Sequence, residues 1–133
     1  MADRVEFELV SPEKLLISKA VDMVVVPGAE GDFGVLPRHS PLISAIRPGV
    51  IHVYEGNQIS DRIFVAGGFA EVTLARCTVL AEEALPIAEI EPAKVEASLK
   101  DLRDDLLDAT SDSEKSQIER KIAAEEAKIK AAG

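Results

Sequence analysis

Val26-Pro27-Gly28-Ala29-Glu30-Gly31-Asp32-Phe33-Gly34-Val35-Leu36-Pro37-Arg38-His39-Ser40-Pro41-Leu42 is the stretch on which the reading of this chain turns. It follows Met23-Val24-Val25-Val26, an apolar run of the kind that forms a buried strand. Three glycines fall at intervals of three, and Pro37 and Pro41 bracket Arg38-His39-Ser40. Glycine permits positive φ and proline fixes φ, so the segment is a shaped connection with little freedom to lose. A loop that cradles phosphate has converging N–H groups, opens a helix and often carries a lysine. Here the spacing matches neither GxGxxG nor GxxxxGK[ST], and no amphipathic helix pattern follows. Glu30 and Asp32 would repel phosphate, and the prolines remove donors. The stretch therefore reads as a rigid connection between strands, a preformed acidic knuckle offered to a protein partner.

Working outward, the flanks are strand-like. Val5, Phe7 and Leu9 alternate with Arg4, Glu6 and Glu8, a half-buried strand. Ser11-Pro12-Glu13 is a turn, Leu15–Ser18 starts a second strand, and Ala20–Val26 is a third and more central one. Leu42–Ile46 is a short strand closed by Arg47-Pro48-Gly49. Val50–Tyr54 and Ile59–Ala66 flank Gly56-Asn57, a favoured hairpin reversal. Gly67-Gly68 breaks the pattern, Phe69–Leu74 alternates again, and Cys77–Ala81 follows a tight turn. Turn signals this closely spaced predict about eight to ten short strands over residues 1–86, in an all-β sandwich or barrel.

After Pro86 the texture changes. Val95, Leu99, Leu102, Leu106 and Ala109 recur at helical spacing behind Pro92, a residue suited to the first helical position. Thr110–Glu114 is a break, and Ser111 with Glu114 has capping-box spacing. A second helix over 114–131 carries a thinner stripe, Ile118, Ile122 and Ile129. Residues 87–133 are thus predicted to form an antiparallel helical hairpin. It is too small to be strongly stable alone, and is expected to rest lightly on the sandwich.

The net charge of −9 disfavours nucleic acid and anionic membranes, both of which select basic faces, and favours basic protein partners. A single cysteine, Cys77, fits a reducing compartment. The N-terminus Met1–Glu6 shows no apolar leader, and no apolar run is long enough to span a bilayer. His39 and His52 lack ligand-spaced neighbours, so no metal site is expected. His39 beside Ser40 lacks a third group to orient the base, so no nucleophilic triad is read. Asp101, Asp104, Asp105 and Asp108 form a solvated acidic flank. No catalytic set is expected, and no cofactor.

The segment 26–49 closely resembles the signature of the ε subunit of bacterial rotary ATP synthases, whose mitochondrial counterpart is δ. Its pattern, G-x-x-G-x-x-G-[VIL]-x-P-x-H-x-P-[LM], is filled at every fixed position. Phe64-Val65-Ala66-Gly67-Gly68-Phe69-Ala70-Glu71-Val72 resembles the family's second block. The resemblance implies a ten-stranded sandwich followed by a helical hairpin, in a non-catalytic subunit of the central stalk that links subunit γ to the membrane ring of c subunits. It implies ring contact at Glu30, Gly31 and Asp32, and γ contact at Ser11, His39, Leu42 and Ser44. Membrane association would come through partner subunits, at the cytoplasmic face of a bacterial inner membrane. In the family the tail can extend along γ toward the α and β subunits and block rotation. Some members bind ATP through [IL]-D-x-x-R-A on the second helix. Here the nearest match is Ile118–Ala123, with Glu119 and Ile122 at the Asp and Arg positions, and the missing guanidinium removes a bidentate phosphate partner. A nucleotide-sensing domain and a free-standing β-sandwich adaptor are the competing readings.

Overall fold

The computed structural model describes residues 4–133; part of the N-terminal stretch read for a leader, Met1–Asp3, lies outside them. The chain divides into two compact units, Met1–Pro86 and Ile87–Gly133.

The first unit is all β: β1 Val5–Val10, β2 Leu15–Val21, β3 Met23–Gly28, β4 Gly31–Val35, β5 Leu42–Ala45, β6 Gly49–Glu55, β7 Gln58–Val72 and β8 Arg76–Pro86. The strands are hydrogen-bonded in the order β2-β1-β8-β7-β6-β3-β4, with β5 also on β7. All pairs are antiparallel except β1 with β8. The sandwich arises because this one ladder folds over on itself along its two longest strands. In β7 the inward residues are Ile63 and Val65, then Ala70 and Val72, so the buried parity flips between them. In β8 it passes from Cys77, Val79 and Ala81 to Ala84. The first half of β7 pairs with β6 and its second half with β5, so each half serves a different layer.

That flip corrects the sequence reading. Among the described residues there are eight strands, the lower end of the range the turn signals predict and fewer than the ten the resemblance implies, because Gly67-Gly68 does not end a strand. Both glycines take positive φ, 73° and 93°, a region L side chains avoid, and β7 bends there while its ladder to β8 continues. A Cβ on Gly68 would run into the carbonyl oxygen of Leu80. The segment read as a continuous loop after Val26 is also partly a strand. β4 pairs with β3 in register Gly28↔Gly31, which leaves only Ala29-Glu30 as a two-residue turn. A Cβ on Gly28 would lie 2.8 Å from the carbonyl oxygen of Gly31, so the tightness of this turn requires glycine.

The core is mostly aliphatic, as a chain with four Phe and no Trp requires, around the buried rings of Phe7 and Phe64. Phe7, Leu9, Val24, Val26, Ile51, Val53, Val65 and Val79 are fully buried, each contributing about 1.5–3 kcal/mol relative to exposure. The Gly56-Asn57 reversal joins β6 to β7 with Glu55 opposite Gln58.

The second unit holds a short 3₁₀ turn at Ile87–Glu89, then α1 Pro92–Asp108 and α2 Asp112–Ala132. Pro92 sits at the start of α1. Ser111 caps α2, its Oγ accepting from the Glu114 N–H at 3.1 Å, the stronger half of the expected capping box. Val95, Leu99 and Ala109 of the α1 stripe are buried. On α2, Lys128 is also buried and pairs with Glu125 at 3.0 Å.

Candidate docking surface

Cross-strand register assembles a feature on the outward side of the layer β5-β7-β8-β1-β2. Ala45 lies opposite Phe69, Phe69 opposite Leu80, Leu80 opposite Val10, and Val10 opposite Leu15. Directly opposed residues share a face, so five apolar side chains from five strands form one row. Phe69 is 54% exposed, Leu80 47% and Leu15 55%, and Ile43, one step along on the same face of β5, is 70% exposed. A contiguous apolar row of this kind on a strongly charged chain is a candidate interaction surface.

Beyond the row the same face turns acidic. Ile43 opposes Glu71, Glu71 opposes Thr78, and Thr78 opposes Glu8. Arg76 neutralises Glu8, its Nη1 lying 2.7 Å from Oε1. Among the described residues, Glu6 and Glu71 have no ion-pair partner. The face suits an apolar ridge with basic flanks.

The β3–β4 turn borders the Ala45 end of the row, because the Ala29 N–H donates to the Ala45 carbonyl at 2.8 Å. Glu30, Gly31 and Asp32 are all exposed there, and Gly31 has φ 140°. Their carboxylates differ. Arg47 Nη2 lies 2.5 Å from Asp32 Oδ1, while its Nη1 donates to the Gly28 carbonyl at 2.6 Å. Asp32 is therefore largely compensated within the chain, and Glu30 is the carboxylate the tip presents.

The other site residues are spread along the same layer. Ser11 lies in the β1–β2 turn next to Val10, its Oγ donating to the Lys14 carbonyl at 3.3 Å. His39 lies between β4 and β5, half-buried, with Nδ1 2.7 Å from the Ser40 carbonyl oxygen. Leu42 and Ser44 are on β5 but oppose the inward Val72 and Ala70. They therefore point to the side of β5 away from the apolar row, and Ser44 Oγ donates to the Ala45 carbonyl at 3.0 Å. Sequence reasoning missed Phe69, Leu80, Ile43, Val10 and Leu15. The signal was present: once Ala70 and Val72 are inward, Phe69 must face out, and once Val79 and Ala81 are inward, so must Leu80.

Elsewhere the chemistry is quiet. Burial pushes the Cys77 thiol up to about 12, so it carries no thiolate near neutrality. On α2 Glu119 is exposed, and Ile122 is half-buried within the apolar stripe. An open groove between the helices is lined by Glu96, Leu99, Arg103, Glu126 and Ile129, and Arg103 lies 3.7 Å from Glu126. No helix among the described residues is long and apolar enough to cross a membrane.

The chain thus joins a two-layer β unit with an exposed apolar row to a helical hairpin. Residues 4–87 match the family model described as ATP synthase, Delta/Epsilon chain, beta-sandwich domain. Residues 92–133 match the family model for the C-terminal domain of the ATP synthase epsilon chain. The chain is 58% identical to the ATP synthase epsilon chain of Rhodospirillum centenum, over 97% of this chain and 92% of that one. It is 55% identical to that of Rhodospirillum rubrum, over 98% of both. The chain belongs to the ATP synthase epsilon family. Its fold is also that of a chain in the Euglena gracilis mitochondrial ATP synthase, OSCP/F1/c-ring assembly, with TM-score 0.83, 22% identity, and coverage of 100% of this chain and 84% of that one. A Tetrahymena thermophila mitochondrial ATP synthase central stalk/c-ring chain gives TM-score 0.67 at 12% identity, over 99% of this chain and 100% of that one.

Proposed function

We propose that this chain is the non-catalytic rotor subunit that joins subunit γ to the c-ring of a proton-translocating ATP synthase, at the cytoplasmic face of a bacterial inner membrane. The observation that carries the reading is the apolar row Ala45–Phe69–Leu80–Val10–Leu15, a built docking face on a chain of this family. The row takes γ, with Ile43 beside it and Ser11 and His39 at the borders of the same layer. Leu42 and Ser44 then support β5 from behind the contact. Glu30 at the β3–β4 turn meets the polar loops of the ring. Asp32 holds the turn in shape through Arg47, and Gly31 supplies its backbone conformation. The work is mechanical: torque passes through surfaces held at fixed spacing, with no substrate transformed.

The helical hairpin is regulatory in this reading and reaches α and β subunits when extended. Ile122 and Glu119 supply no guanidinium for phosphate at the motif positions, so no nucleotide is expected as its ligand. Membranes lacking the endogenous subunit test the division of labour. Adding the full chain, or residues 1–86 alone, is expected to restore proton-driven ATP synthesis to comparable levels. Restoration by the full chain with near-total loss for 1–86 would overturn the assignment of coupling to the sandwich.

A further inference from the structure

Among the described residues the sheet has three free edges, and they are not alike. β4 is five residues long, carries Asp32 and is followed by Pro37. β5 is four residues long, and other backbone covers part of its outer side: the Ala29 N–H donates to Ala45, the Arg47 N–H donates to Pro27, and Gly28 bridges Ile46. β2 is different. Its seven residues, Leu-Leu-Ile-Ser-Lys-Ala-Val, contain no proline. Its only charge, Lys19, is drawn away to Glu55 at 2.9 Å and Asp61 at 2.8 Å. Charged side chains, prolines and bulges are the usual guards of an exposed edge; the bulge of β2 lies at Leu16, before Ser18 and Ala20, and no free charge or proline stands on the rest of the strand.

The open backbone groups can be assigned. Glu6 donates its N–H to Ala75 at 3.2 Å, so even-numbered residues of β1 turn their polar groups toward β8 and odd-numbered ones toward β2. The odd residues Val5 and Phe7 oppose Val21 and Lys19. The intervening residues of β2, Ser18 and Ala20, therefore aim N–H and C=O away from β1. Asp22, next in that parity, donates its N–H to the Tyr54 carbonyl at 3.0 Å. Ser18 and Ala20 are the rungs left open.

We infer that this edge receives an added strand: an extended segment of subunit γ pairs with β2 at Ser18 and Ala20, beside the apolar row. The inference rests on reading the row as the γ face, which ends on β2 itself at Leu15. Charge selects the segment. On the outward face Ser18 opposes Glu8, which Arg76 already neutralises, and Ala20 opposes Glu6, which has no ion-pair partner among the described residues, so the side chain of the added strand beside Ala20 on that face is basic. Strand addition supplies direction and register, which an apolar row lacks, and a rotor joint that must not slip needs both.

Amide hydrogen exchange on the full chain, free and bound to the cognate γ subunit, tests this, together with γ titrations of Ser18→Pro and Phe69→Arg. The Ser18 N–H points away from β1, so proline there leaves the β1–β2 ladder intact. The Ser18 and Ala20 amides are expected to exchange rapidly in the free chain and at least tenfold more slowly in the complex. Ser18→Pro should weaken γ binding at least tenfold at an unchanged melting temperature. Unprotected amides in the complex, or Ser18→Pro binding like wild type while Phe69→Arg does not, would overturn strand addition and leave the γ face standing. If both variants bind like wild type, the γ-face reading itself fails. Protection that grows with the concentration of this chain alone would make the occupant a second copy, and would also overturn the inference. Should Ser18→Pro not fold, the exchange experiment on the wild-type chain decides.

Discussion

At the scale of single residues, Gly68 shows how backbone freedom becomes architecture. Its φ of 93° and the closeness of the Leu80 carbonyl exclude any side chain. The bend it permits carries β7 from one layer to the other. Gly68→Ala is expected to destabilise the fold by about 1–3 kcal/mol from the backbone term alone, with the clash adding to it. Denaturant unfolding followed by circular dichroism measures this, and a loss below about 0.5 kcal/mol would mean the bend tolerates a side chain. In the sequence the two glycines were legible as a break, since Gly-Gly interrupts an alternating pattern. That the strand survives the break was not legible, because it depends on pairing with β8 across the 73–75 turn, Gly68 opposite Ala81, and the alternation within β7 does not carry that pairing. The Asp32–Arg47 pair was hidden for a similar reason: only the β3–β4 fold-back and the Gly28–Ile46 bridge bring those residues together.

Among the elements, β2 is held at its inner side by ion pairs to the β6–β7 hairpin. Hydrogen bonds to Asp61 and Glu55 raise the Lys19 pKa above its usual value of 10.5. The hydrogen bond from Lys19 lowers Glu55 below its usual 4.5. The Lys19 contribution is complete below about pH 10.5 and is lost as pH rises through its folded value. The Glu55 contribution is complete above about pH 4.5 and is lost as pH falls through its folded value. Lys19→Met should therefore lower the melting temperature between these limits, by no more than about 5 °C for pairs this exposed. The two melting curves should converge in strong acid. Melting from pH 2 to 10 checks it; a constant offset at every pH would show that packing of the lysine stem, and not charge, is what the substitution removes. In the tail, Pro92 marks the start of α1 through local chemistry, while α2 starts at Asp112, two residues before the expected Glu114, because the Ser111 cap lets the helix begin at the next residue. β4 was not legible, because a strand of Gly-Asp-Phe-Gly-Val carries too little alternation to stand out from a loop.

For the molecule as a whole, the family was legible from the 26–49 signature, and the β-then-α order from periodicity. The exposed apolar row was not. It exists only when register across five strands aligns residues as distant as Val10, Ala45 and Leu80, and no local window contains that information. Side-chain alternation gave the direction of each apolar residue, yet the row needed the strand order as well. The two compact units carry separate tasks in the proposed function: the sandwich joins, and the hairpin regulates.

The central claim is that force passes through the outward row, and the most direct measurement is the dissociation constant of the cognate γ subunit for this protein, wild type against Phe69→Arg. Placing a charge at the centre of an apolar contact should weaken binding at least about 30-fold, the mark of an interface hot spot, while thermal unfolding of the exposed-site variant stays unchanged. Binding within about threefold of wild type, far below a hot-spot effect, would contradict the account.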